Sequence, residues 1–250
     1  MKKQNLLFIP FILGIGIGLF SCNVDTTGNN QTFQNTLAVV DWKTEMGGIV
    51  IGTPWGYLAA PSLFDAFEGD CLYIHQFTVD YDNQPSDKFF TATNINKETV
   101  NQTPLILNNT IELEDYTFPV SKVEVSIDEF FSGRFFVRIT CKDKSPSFRL
   151  MYDTTEEETN NIKNFYLQAK PSSSSQNASD VPSIHAFNLM SFIQQYGADT
   201  TKAFKGSSEK YNFKYIKANL KYVSKITDDK PEYGLVNSSG TPFEFYIFKD

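Results

Sequence analysis

The sequence predicts an all-β protein in two domains, on three observations. Aromatic residues make up 15% of the chain, with 23 Phe and 12 Tyr, and such side chains favour pleated, half-buried strands. Asp70 to Tyr81, DCLYIHQFTVDY, alternates at period two. Cys71, Tyr73, His75, Phe77, Val79 and Tyr81 fall on one face, and Gln76, Thr78 and Asp80 on the other. Elsewhere short apolar, β-branched runs are cut by Gly, Pro and Asn, the pattern of strands joined by turns.

The N-terminus reads as an address. Lys2 and Lys3 precede an apolar run from Leu6 to Phe20 that falls short of the about 20 residues a membrane-spanning helix needs. This is the order of a secretory signal, with cleavage expected after Ser21. Leu19-Phe20-Ser21-Cys22 resembles the lipobox of bacterial lipoproteins, which implies removal of residues 1–21 and acylation of Cys22. Several acyl chains together make a stable anchor. Losing Lys2 and Lys3 takes the formal charge from −7 to −9. So acidic a chain is not built to neutralise phosphates, and no nucleic-acid partner is expected.

Residues 22–35, polar and small, read as a flexible tether. Thr36–Asp41 and Gly48–Gly52 read as short strands, and the strand at 70–81 is followed by another from Phe89 to about Ile95, completing a hairpin. A composition shift over Asn108–Asp115 places the domain boundary at 110/111. Beyond it, Val120–Ile127 and Arg134–Cys141 alternate around the turn Phe131-Ser132-Gly133-Arg134. Phe148–Tyr152, Asn164–Ala169, Tyr211–Ile226 and Pro242–Lys249 read as further strands. Pro171–Asp180, PSSSSQNASD, is too polar to be ordered by burial. Ile184, Phe187, Met190, Ile193 and Tyr196 have helical spacing, with Ser183 as N-cap and Gly197 closing the helix, although the same stretch also reads as a strand through Phe187 and Leu189.

Three stretches resemble the NigD-like lipoproteins of Bacteroidetes: Leu37-Ala38-Val39-Val40, Phe67-Glu68-Gly69-Asp70 leading into the strand to Tyr81, and Phe131-Ser132-Gly133-Arg134-Phe135-Phe136-Val137. The resemblance implies an OB-like β-barrel over 36–110, a β-sandwich over 111–250, an outer-membrane location and no enzymatic activity. Asp25-Thr26-Thr27, Asp153-Thr154-Thr155 and Asp199-Thr200-Thr201 resemble the Asp-Ser/Thr-X pattern that Bacteroidetes O-glycosylate after export, marking Thr26, Thr154 and Thr200. Aspartate followed by threonine also makes ordinary turns.

Motifs for catalysis are missing: no G-x-S-x-G, H-E-x-x-H, phosphate-binding glycine loop or C-x-x-C occurs. No catalytic residue, metal or cofactor is therefore expected. His75, on the apolar strand face, reads as an interior histidine, and His185 as a surface or helix-start residue. Glu156-Glu157-Glu158 reads as a solvated helix start, with Thr155 and Glu158 in capping-box spacing. Asp80, Asp82, Asn83 and Asp87 read as a turn lacking calcium-loop spacing. Lys210–Lys225 interleaves lysines with aromatics, as on a strand with a wet face or a blunted sheet edge. Cys71 and Cys141 are expected as separate buried thiols, although export would permit a bridge.

Ile51–Tyr57, IGTPWGY, is the most suggestive stretch. Trp55 and Tyr57 lie in or beside a turn, where flat side chains stack on a sugar or peptide, though core filling explains large aromatics more often. The leading functional expectation is an envelope protein that binds a glycan or a partner protein. The alternatives are a structural subunit of an envelope assembly and a carboxylate-dependent hydrolase.

Overall fold

The computed structural model describes residues 30–60, 65–82, 84, 89–108, 116, 118–143, 145–156, 161–172, 176–203, 208–237 and 239–249. Five strands close a barrel: β1 (Asn30–Lys43), β2 (Gly48–Thr53), β3 (Gly56–Ala59), β4 (Cys71–Asp80) and β5 (Phe89–Thr99), in the order β1-β2-β3-β5-β4. Long β1 pairs with β2 through its C-terminal half and with β4 through its N-terminal half, so that Val39 faces both Gly52 and Cys71. A parallel β3–β5 pair completes the ring. Ala38, Val40, Ile51, Leu58, Leu72, Ile74 and Phe77 fill it.

β1 begins inside the segment expected as tether. Asn30–Gln34 pair with Gln76–Asp80, and the Phe33 ring, 7% exposed, stacks on Phe77 with centroids 5.0 Å apart. One buried aromatic thus draws a polar stretch into the barrel.

β4 departs from strict alternation. Its register against β5 slips between Ile74 and Gln76 and again between Gln76 and Thr78. Each slip lets successive residues change face, as a β-bulge does. Leu72 and Ile74 enter the barrel before the slips, Phe77 and Val79 after them. His75 is therefore exposed, 3.8 Å from the Glu98 carboxylate, and not the interior histidine expected.

The second unit comprises β6 (Gln102–Asn108), β7 (Lys122–Ser126), β8 (Arg134–Asp143), β9 (Ser147–Asp153), β10 (Ile162–Lys170), β11 (Gln176–Asn188), α1 (Met190–Tyr196), β12 (Ala198–Ala203), β13 (Lys210–Thr227), β14 (Lys230–Leu235) and β15 (Phe243–Phe248). Its sheet runs β12-β13-β10-β9-β6-β11-β8-β7, with β14 and β15 also paired to β13. β6, which falls inside the expected barrel range, instead joins two leaves here: Gln102–Pro104 pair with β11 and Leu105–Asn108 with β9. The leaves pack face to face. Phe135, Val137 and Ile139 of one share a core with Phe165, Leu167, Ile216, Leu220 and Phe245 of the other, which is a β-sandwich.

Two local expectations are corrected. Residues 184–188 continue β11, and the helix is only Met190–Tyr196, started by the Asn188 side chain accepting the Met190 N–H at 2.9 Å instead of by Ser183. The serine-rich segment is tied at its start, where Asp143 accepts the Ser172 N–H at 2.8 Å and the Ser172 hydroxyl at 2.9 Å. Gln176 then pairs with Asp143 and the chain is strand from there on.

Barrel and sandwich meet through a shared apolar layer of Leu37, Val39, Cys71 and Val100 against Phe131, Phe136 and Ala186. Gly52 lies so close to the Phe130 carbonyl that a Cβ would stand 2.3 Å from its oxygen. Gly69 adopts φ +93°, and an added Cβ there would meet the buried Arg134 guanidinium at 2.9 Å. Only glycine serves both demands. Cys71 and Cys141 are free and buried in different clusters, as expected.

Candidate functional site

An open groove of about 580 Å³ lies on the outer face of the sandwich, within the range of small-molecule sites. Ile162, Asn164 and Tyr166 of β10, Asn219 and Lys221 of β13, and Tyr233 and Leu235 of β14 line it. Their placement follows from alternation. Phe165, Leu167, Ala218 and Leu220 point into the core, so the residues between them point out. The parallel β10–β13 register sets Asn164 opposite Asn219 and Tyr166 opposite Lys221, and antiparallel β14 brings Tyr233 opposite Val223 and Leu235 opposite Lys221.

The polar groups form one network. The Asn219 amide donates to the Asn164 carbonyl at 3.1 Å, and Asn164 donates to Glu156 Oε1 at 2.9 Å. The other Glu156 oxygen accepts the Tyr166 hydroxyl at 2.8 Å, and Lys221 Nζ stands 3.1 Å from that hydroxyl and 3.4 Å from Glu156. Beneath them the fully buried Gln168 accepts from Arg149 Nε at 2.7 Å and donates to the Tyr233 hydroxyl at 3.5 Å. The Tyr166 and Tyr233 rings meet edge-on, centroids 5.0 Å apart. Burial, then the hydrogen bond to Glu156, pushes the Tyr166 phenol well above its ordinary range, and burial raises Tyr233 too. Both stay protonated donors with no nucleophilic phenolate.

Glu156 departs from the helix start expected of it. Asp153 Oδ1 accepts the Thr155 N–H at 2.8 Å and its hydroxyl at 2.7 Å, a side-chain-mediated turn that swings Glu156 back over β10. Glu157 and Glu158 lie outside the described residues. Glycoside hydrolysis needs a pair of carboxylates about 5–10 Å apart. Among the described residues, Glu156 is the one carboxylate bonded into the network.

Beyond the groove the outer face of β13 runs on toward the barrel. Lys217 pairs with Glu244 at 3.4 Å, and Tyr215 stacks on Tyr246 at 5.7 Å and 18°. Lys202 Nζ sits 4.0 Å over the Tyr246 ring and 3.2 Å from Glu129, while Tyr246 donates to Glu244. The face ends at Phe248, where the barrel's Lys43 covers the ring at 4.6 Å. β13 is thus flanked by partners along its length and is no blunted edge.

The sequence-predicted residues lie elsewhere. Trp55 is 48% exposed at the β2–β3 turn, beside Phe33, whereas Tyr57, two residues on, is 7% exposed among Phe89, Phe130 and Phe248. The two do not form a common stacking surface; Tyr57 packs barrel against sandwich. Thr154 is exposed in the Asp153 turn, and Thr200 lies within β12 opposite Phe213. Cys22 and Thr26 lie outside the described residues, as do Asn83 and Asp87; Asp80 accepts the Asp82 N–H at 2.9 Å, the expected turn. His185 reverses its expectation: it is largely buried, edge-on to Phe148 at 4.6 Å and 2.9 Å from Ser183 Oγ. Of the groove, the sequence signalled only the lysine–aromatic interleaving of β13.

No protein-family model and no curated protein matches this chain. Solved structures share its fold. One, of an uncharacterized protein from Parabacteroides merdae, has a TM-score of 0.59 at 15% identity, covering 86% of this chain and 99% of that one. Another, of a candidate lipoprotein from Bacteroides fragilis, has a TM-score of 0.50 at 14% identity and covers 88% and 97%. A NigD-like immunity protein from Bacteroides caccae is also similar, with a TM-score of 0.48, 14% identity and coverage of 86% and 96%. The all-β, multi-domain fold is thus shared with proteins of Bacteroidetes.

Proposed function

We propose that this chain is a cell-envelope lipoprotein, held at the outer membrane through acylated Cys22, that binds a ligand or partner and carries out no catalysis. The observation that carries the reading is Leu19-Phe20-Ser21-Cys22 at the end of an apolar segment behind Lys2 and Lys3. The fold shared with a candidate lipoprotein from B. fragilis supports it. Only seven residues separate Cys22 from the first strand at Asn30. That span keeps the barrel within about 30 Å of the anchor. Binding, and not catalysis, is favoured by a groove whose acid, base and phenol are tied to one another by hydrogen bonds.

The test is metabolic labelling with a radioactive fatty acid, followed by membrane fractionation. Wild-type protein is expected to carry label and sediment with the outer membrane; Cys22→Ala is expected to lose both properties. Retention of the variant in the membrane fraction overturns the anchor.

A further inference from the structure

We infer that the outer face of β13, from the Tyr166–Tyr233 groove to the Tyr215–Tyr246 pair, binds a neutral, linear oligosaccharide. The inference rests on the binding role proposed above and names its ligand class. Tyr215, Lys217, Asn219 and Lys221 share that face, because Ile216, Ala218 and Leu220 between them are buried in the sandwich core and the slip in β13 lies beyond them, between Val223 and Lys225. The six residue steps from Tyr215 to Lys221 span about 20 Å, the reach of several linked sugar rings. An aromatic pair stands at each end. In each pair one ring backs the other: Tyr166 is buried behind Tyr233, and Tyr246, covered by Lys202, supports Tyr215. The partly exposed Tyr233 and Tyr215 then present a flat apolar face to the C–H side of a pyranose and a hydroxyl to its rim.

The charges decide against an ionic ligand. Each lysine on the face has a carboxylate partner: Lys221 with Glu156, Lys217 with Glu244 and Lys202 with Glu129. Nothing in that arrangement selects an anion or a cation. What remains are donors and acceptors held in a row, the Asn164 and Asn219 amides above all, which suit vicinal hydroxyls. A peptide adding as a further strand needs an open backbone edge. Along the stretch from Phe213 to Tyr222 that carries this face β13 offers none, since β12 and β10 pair along one side of it and β15 and β14 along the other.

The experiment is calorimetric titration of the full-length lipidated protein, in a detergent without a sugar headgroup, with gluco-, manno-, xylo- and galacto-configured hexasaccharides and with an anionic uronic-acid hexasaccharide. Saturable binding of at least one neutral hexasaccharide is expected. Tyr233→Ala and Asn219→Ala are each expected to weaken it about tenfold, the loss of one stacking contact or hydrogen-bond set. Tyr233 packs on Tyr166, so Tyr215→Ala, at the far end of the face, provides a second aromatic test, with thermal melting confirming that each variant is folded. Absence of neutral-saccharide binding, preference for the uronic-acid hexasaccharide, or unchanged affinity in folded Asn219→Ala and Tyr215→Ala would each overturn the inference. Fatty-acid labelling reads the anchor independently, so a labelled protein that binds no saccharide overturns the ligand class alone.

Discussion

The Tyr57 ring of the barrel meets the Phe130 ring of the sandwich edge-on, with centroids 5.0 Å apart and planes at 88°. Phe89 and Phe248 flank the same tyrosine at 5.7 and 6.4 Å. The two units are joined by aromatic packing, not by a loose linker. Tyr57→Ala is expected to cost about 3–5 kcal/mol, as for other large aromatics removed from a core. Trp55→Ala, at a half-exposed turn, is expected to cost under about 1 kcal/mol. Urea unfolding of both variants checks the contrast, and equal losses would show that Trp55 is core as well.

Gly52 provides a sharper test of the joint. Any side chain there must displace the Phe130 backbone, since even a Cβ would lie 2.3 Å from its carbonyl oxygen. Gly52→Ala is expected to destabilise by about 1–3 kcal/mol, the usual cost of overpacking. It is also expected to speed proteolytic cleavage between β5 and β6, where the chain crosses from barrel to sandwich. An unchanged melting temperature with unchanged cleavage would mean that the units tolerate separation.

His185 makes stability depend on pH. Burial against Phe148 holds its imidazole down to about 4 from 6.5, because a charged ring there would be desolvated. Between these values the unfolded chain binds a proton that the folded chain refuses. The contribution is therefore complete above pH 6.5 and lost as the pH falls toward 4. The loss is at most about 3 kcal/mol. Denaturation midpoints of wild type and His185→Gln across that window are expected to converge at the acid end. Parallel curves would show that the imidazole titrates normally.

The thiols are predicted to be silent in the folded protein. Burial pushes Cys71 up to about 12, outweighing the nearby Arg134 cation, and burial also raises Cys141. A thiol-disulfide reagent at mildly alkaline pH is expected to find none in the native, lipidated protein and two after denaturation. A third reactive thiol on denaturation would mean that Cys22 carries no lipid.

Most of the strands were legible because alternation and turn chemistry act over a few residues. The hairpins 70–81 with 89–95, and 120–127 with 134–141, correspond to the β4–β5 and β7–β8 pairs. Short β3, β12 and β14 were not, since Gly56, the Asp199-Thr200-Thr201 run and the Lys230-Pro231 pair carry turn-like composition and become strand only through their neighbours. Both histidines changed places for nonlocal reasons. His75 lies on the Cys71 and Tyr73 side of β4, which is the outer wall of the barrel, while the slips against β5 carry Phe77 and Val79 inside, and Phe148 on β9 covers His185 on β11.

By itself the sequence determined an acidic, all-β chain with two thiols apart, and it carries the expectation of export and acylation, because each of these depends on composition or on residues adjacent along the chain. Only the tertiary structure decided where chemistry gathers. Glu156, Asn164, Tyr166, Asn219, Lys221 and Tyr233 come together through the parallel β10–β13 register and the turn at Asp153. In the sequence Asn164, Tyr166, Asn219 and Lys221 are residues of expected strands, Glu156 belongs to an expected helix start and Tyr233 to no expected element. Pairing between strands far apart in the chain is set by how their buried faces pack, and that packing is what aligns their outer faces into a groove.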